Sequence, residues 1–188
     1  MTKNILRLVG VGVVTLLFVQ CGDGNKFNIS KGKVGELTTL TTMLDIQTIF
    51  ATDSIVKNLS EGSLGDSYFQ DDDEYLIYEK GGKHLLTIVP KEQLDSTSTI
   101  KSIQIFDDRY KTKSGITLSS SFEDINLNNT ITKVETSLSS ATLYIDELNV
   151  TIALGKEDLG LKNFSTQKVS LEQIPGLARV KSFVVWFN

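Results

Sequence analysis

Glu74-Tyr75-Leu76-Ile77-Tyr78-Glu79-Lys80-Gly81-Gly82-Lys83-His84-Leu85-Leu86-Thr87-Ile88-Val89, residues 74–89, is two apolar-rich runs joined by a pair of glycines. Such a pair suits a two-residue turn, in which one or both central positions need positive φ. The stretch predicts a hairpin with arms Glu74 to Lys80 and Lys83 to Val89. On the first arm Tyr75, Ile77 and Glu79 face one way, with Leu76, Tyr78 and Lys80 facing the other. Apolar residues on both faces predict an interior strand. Pro90, which lacks a ladder donor, ends the second arm.

On either side of this hairpin, short runs with polar connections recur about every ten residues, the pattern of antiparallel strands. Strands are expected at Asp53 to Leu59, Ile100 to Phe106, Ile131 to Leu138, Ala141 to Asp146 and Asn149 to Leu154. Ala178 to Phe187 places Val180, Ser182, Val184 and Trp186 on one face and Phe183, Val185 and Phe187 on the other, again the mark of an interior strand. Thr42 with Asp45 predicts a helix from Met43 to Ala51, and Ser120 with Glu123 predicts one from Ser121 to Leu127, both by capping-box spacing. Phe122 and Ile125 would face inward. Ser170 with Gln173 repeats the spacing for a single turn stopped by Pro175 and Gly176. The expected class is α+β, mainly antiparallel β with two or three short helices in a single domain of residues 34–188. A lipid-facing barrel, suggested by the aromatic last strand, is disfavoured because runs of about 9 to 11 lipid-facing residues are scarce.

The N-terminus has the layout of a secretory signal. Lys3 and Arg7 precede an uncharged apolar run, Leu8 to Val19, which is shorter than the roughly 20 residues of a spanning helix. Cys21, the single cysteine of the chain, follows directly. This arrangement resembles the lipobox of bacterial lipoproteins, although Phe18 and Gln20 depart from its usual residues. The resemblance implies a signal peptide at 1–20, cleavage before Cys21 and acylation (palmitate or similar chains) of that residue; a polar, glycine-containing lipid-anchored tether at 21–33, with Phe27 and Ile29 as its only large apolar residues, is expected to pass into a first short strand. Gly22, rather than Asp, follows the cysteine, which in the lipoprotein sorting pattern implies the outer membrane. Two or three acyl chains would make a lasting anchor, since each buried methylene contributes about 0.8 kcal/mol.

A second resemblance lies in the body. Thr112 to Ile125 (TKSGITLSSSFEDI) and Ser170 to Pro175 (SLEQIP) resemble segments of small uncharacterised envelope lipoproteins. They imply membership of such a group and carry over no catalytic residue.

The chemistry is sparse. The chain has a net charge of −4, and removal of a signal carrying Lys3 and Arg7 makes the remainder more acidic. No dense basic cluster suits phosphate neutralisation, so nucleic acid is not an expected partner. By the same charge, membrane contact is expected through the lipid on Cys21 rather than through the body. His84 is the lone histidine, and it is expected to be a solvent-facing hairpin residue. One histidine and one cysteine cannot supply a structural zinc site. Asp71, Asp72, Asp73 and Glu74 form the densest acidic run and a weak calcium candidate, without the glycine and closing glutamate of an EF-hand. No phosphate-cradling loop or dinucleotide fingerprint is present, so no cofactor and no catalytic residue is expected.

These observations favour a noncatalytic envelope lipoprotein whose β-rich domain binds an envelope protein or polymer. Two alternatives stay open: a carboxylate-based hydrolase acting on glycans or peptides, and an inhibitor or immunity lipoprotein that blocks a toxin or hydrolase.

Overall fold

The computed structural model describes residues 26–60, 72–162 and 167–188. Twelve strands and two short α-helices follow one another in these residues. The strands are β1 (Asn28–Ser30), β2 (Lys33–Val34), β3 (Leu37–Thr38), β4 (Ser54–Asn58), β5 (Glu74–Tyr78), β6 (His84–Pro90), β7 (Ile100–Ile105), β8 (Lys111–Thr112), β9 (Lys133–Thr136), β10 (Ser140–Ile145), β11 (Val150–Gly155) and β12 (Val180–Trp186). The helices are α1 (Ile46–Ile49) and α2 (Phe122–Asn128). The architecture is β-dominated, with mainly antiparallel sheets and two helices.

Eight strands form one antiparallel sheet in the order β4-β5-β6-β7-β12-β11-β10-β9. Both strands with apolar residues on two faces, β5 and β12, are interior, as the sequence predicts. The inner face can be read straight across the register: Ile55, Ile77, Leu86, Ile105, Phe183, Ile152, Leu143 and Val134 are successive partners on all eight strands. Six of these eight are almost completely buried, and Ile55 and Val134 pack against them from the edges. With no cysteine beyond Cys21, this burial is the main source of stability, worth roughly 1.5–3 kcal/mol for each large apolar side chain.

The hairpin of residues 74–89 closes differently from expectation. Glu79 N–H donates to Lys83 O and Gly82 N–H donates to Glu79 O, which makes a three-residue loop of Lys80, Gly81 and Gly82. Both glycines take positive φ, +116° and +93°. Pro90 is the last residue of its strand and lies at a register irregularity, a place where its missing donor costs nothing. The same irregularity pairs Val89 with Ser102 but Pro90 with Ile100, so Lys101 drops out of the alternation. That is why Ile100 is buried although the strict period would place it with Ser102 and Gln104.

The helices are displaced from their expected starts. Met43 N–H and Leu44 N–H donate to Ser98 O and Ser96 O, so the backbone that would open a helix at Met43 is spent on a neighbouring loop, and α1 has one turn. In α2 the cap is Ser121 with Asp124, one residue beyond the expected Ser120 and Glu123. Ser120 Oγ instead accepts from Thr117 N–H. Phe122 and Ile125 face inward as expected, and the helix docks on the chain before β12 through Phe122 N–H to Ala178 O at 2.7 Å.

A second sheet, β3-β2-β1-β8, was not foreseen beyond a first short strand. It includes one parallel pairing, Asn28 with Lys111 and Ile29 with Thr112. Ordered structure thus includes residues 28–33, expected as tether, and buries Ile29. Gly35 needs its φ of +57° and its bare Cα, because a Cβ there would stand 2.4 Å from Lys26 O.

Candidate functional site

The outer face of the large sheet is also continuous in register. Val56, Leu76, Thr87, Gln104, Val184, Thr151, Tyr144 and Lys133 are successive partners from β4 to β9. This row carries no charge until its last member. Val56 is exposed, most of the others are half-buried, and Leu76, Val184 and Tyr144 lie outside the hydrophobic core. Sequence spacing on each strand gives the alternation, but the uncharged row emerges from pairing that no single strand reveals.

Toward β9 the face ends in an aromatic and polar group. Trp186, the single tryptophan of the chain, donates from Nε1 to Thr151 Oγ1 at 3.0 Å. Asn149, at φ +56°, donates from Nδ2 to Trp186 O at 2.9 Å, fixing the end of β12 to the β10–β11 turn. Tyr144, Asp146, Asn149, Thr151 and Trp186 line a depression of about 180 Å³. Tyr144 Oη donates to Glu135, which also pairs with Lys133. The Lys133 bond, followed by that from Tyr144, holds the Glu135 carboxyl below its usual range. Beside this group a groove of about 440 Å³, lined in part by Glu135, Thr136, Thr142 and Lys168, runs along the β9 edge. Val169 N–H donates to Thr136 Oγ1 there.

Cys21 and Asp71 lie outside the described residues. The remaining acids of the 71–74 run do not converge. Asp73 is buried and accepts from Ser60 N–H at 2.7 Å, Ser60 Oγ at 2.8 Å and Leu94 N–H at 2.6 Å. Burial opposes its charge, but those donors prevail and hold the carboxyl below its usual range. Asp72 instead pairs with Lys101 at 3.0 Å, and Glu74 lies in β5. Among the described residues no three or more potential ligands are grouped to hold a metal ion.

His84 is not the solvent-facing residue expected. Its ring stacks against Tyr78 at 4.6 Å and Phe106 at 4.0 Å, and Nε2 lies 3.1 Å from Leu86 O and 3.2 Å from Thr87 Oγ1. Desolvation lowers its pKa in spite of the Leu86 carbonyl and Glu74.

The strongest charged group was not anticipated. Asp107 is fully buried and meets Lys83 Nζ at 2.9 Å and Arg109 at 2.7 Å, while Arg109 also grips Glu79 through both terminal nitrogens. Desolvation would raise the Asp107 pKa, yet the bonds from Arg109 and Lys83 bring it to about 2. The guanidinium lies 4.5 Å from the Phe27 ring centre. Since Glu79 and Lys83 flank the Gly81-Gly82 loop, the group ties the hairpin to the chain entering β1. Asp107 and Arg109 are two residues apart in sequence, but nothing there points to a partner in the hairpin.

No family model and no curated protein matches this chain. In three dimensions it is similar to the crystal structure of the uncharacterised protein yfeY from Escherichia coli, with a TM-score of 0.53 and 12% identity over 85% of this chain and 99% of that one. At that identity the likeness shows the fold.

Proposed function

We propose that this protein is a noncatalytic envelope lipoprotein, anchored through acylated Cys21 in the outer membrane, whose β body binds an envelope polymer or protein on the outer face of the large sheet. The observation that carries the binding reading is the uncharged row from Val56 to Tyr144, ending beside Trp186. Rings with adjacent amide, hydroxyl and carboxylate groups suit a neutral glycan strand best, since aromatic faces take apolar sugar surfaces while polar groups fix orientation. The α+β class and the grouping with small envelope lipoproteins belong to the same reading.

A hydrolase acting through paired carboxylates needs one acid with a raised pKa. Every described carboxyl displaced from its usual range is displaced downward, including Asp73, Glu79, Asp107 and Glu135. At the aromatic end of the sheet, Lys133 and Tyr144 hold Glu135 in its ionised form, which suits an acceptor for sugar hydroxyls.

Trp186 makes the test direct, because intrinsic tryptophan fluorescence reports on one position. Titration with neutral cell-envelope oligosaccharides should shift its emission saturably, and Tyr144→Ala should weaken binding about tenfold, the loss of about 1.4 kcal/mol. Unchanged emission across the series would remove the glycan reading. Conversion of the oligosaccharide, abolished by Glu135→Gln, would replace binding with catalysis.

A further inference from the structure

The four-stranded sheet has a basic outer face in an otherwise acidic protein. Residues 26–38 and 109–114, which contain β1, β2, β3 and β8, hold six basic residues and one acid, Glu36, against a net charge of −4 for the chain. Ile29, Val34 and Thr112 point into the core, so Asn28, Ser30, Lys33 and Lys111 are turned outward. Register places Ser30 beside Lys33 and Asn28 beside Lys111, which makes the lysines part of one surface across three strands. Lys33, Lys111 and Lys113 line a groove of about 470 Å³ that contains no acidic side chain. Lys31 is exposed in the turn between β1 and β2. None of these four lysines forms an ion pair with a described residue, whereas Lys26 pairs with Asp53 and Arg109 with Asp107 and Glu79.

We propose that this face seats on the phosphate layer of an anionic lipid surface. Cys21 lies seven residues before Asn28, at most about 25 Å of extended chain, so the face is tied close to wherever the anchor inserts. That proximity rests on the acylation of Cys21 proposed above; the charge of the face does not. A lysine near an anionic bilayer contributes about 1 kcal/mol, or about fivefold in binding, within a screening length of about 10 Å at 0.1 M salt. The net acidity of the body therefore does not decide its contact with lipid, because within a screening length the surface meets Lys33, Lys111 and Lys113 around a groove that no acidic side chain lines. The lipid anchor would set attachment, and the lysine face would set orientation, turning the large sheet away from the site of insertion.

The test uses the acylated full chain in vesicles of phosphatidylcholine alone or with one-third phosphatidylglycerol. Amine labelling is read by mass spectrometry at Lys33, Lys111 and Lys113, with Lys91 in the same molecule as reference. At 0.1 M salt the three lysines should label at least fivefold more slowly on phosphatidylglycerol, Lys91 should not change, and 1 M salt should remove the difference. Equal labelling on both vesicles, or equal protection of Lys91, would overturn the proposal. Protection by a soluble anionic polymer such as heparin but not by phosphatidylglycerol would also overturn it, giving the face to a polymer. Flotation with phosphatidylcholine vesicles reads the anchor alone. If the chain fails to float there, the anchor reading fails, and flotation on phosphatidylglycerol, lost in the Lys33→Gln, Lys111→Gln, Lys113→Gln variant, still judges the face.

Discussion

Asp107 keeps its charge out of solvent because Lys83 and Arg109 reach it, and its pKa is accordingly about 2 against an ordinary 3.8. A depressed carboxyl contributes stability that is complete above its unfolded pKa and is lost as pH falls through the folded one. For Asp107 that contribution is about 2 kcal/mol, lost between about pH 4 and pH 2. Asp107→Asn should cost about 3 kcal/mol at neutral pH, since Lys83 and Arg109 lose their shared acceptor. It should also flatten the fall in stability across that acidic interval. Urea unfolding at pH 7, 4 and 2 checks both; a variant as stable as the parent at pH 7, or one with the same acid dependence, would show that the group does not act as a lock. The residue was hidden in the sequence for a simple reason. Charge spacing shows Asp107 two residues before Arg109, but a buried site needs Glu79 and Lys83 brought from the hairpin, and only the fold does that. Asp73 was hidden in the opposite sense: its place in an acidic run suggested solvent or metal, while its oxygens serve Ser60 and Leu94.

Element by element, legibility followed the length of the periodic run. Strands of four to seven residues with alternating apolar positions, β5, β7, β10, β11 and β12, were readable to within two residues at either end. So was α2, whose serine cap, acidic third position and two inward apolar residues agree with one another. The two-residue strands β2, β3 and β8 offer no period to read, and the parallel pairing of β1 with β8 joins distant parts of the chain. Gly35 is the residue that makes this small sheet sensitive to change. Gly35→Ala must hold φ near +57° and also bring a Cβ against Lys26 O. Gly115→Ala faces a similar positive φ of +87° with nothing within 4 Å of the added carbon. Strain alone predicts a cost of about 1–2 kcal/mol at Gly115 and clearly more at Gly35, where backbone must also move. Equal losses in denaturant midpoint would contradict that account of the β1–β2 junction.

For the whole molecule, the large sheet separates two kinds of surface. Its inner rows make the core, and its outer row is uncharged from Val56 to Tyr144, with Leu76, Val184 and Tyr144 left outside the core. Mainly antiparallel architecture was legible because strand spacing and turn residues recur along the chain; the uncharged row was not, because it exists only once seven strands are in register. The lysine face of the small sheet, seated as proposed on an anionic surface, would add a sense of direction, placing the acidic bulk and the large sheet away from that surface. The proposed role rests on the proposed attachment through Cys21, and a single labelling experiment bears on that proposal. Cells expressing the full chain are fed a clickable fatty acid, and label on the protein is compared with that on Cys21→Ala. The account predicts strong label on the parent chain and none on the variant; a Cys21→Ala chain that still carries the fatty acid would contradict it.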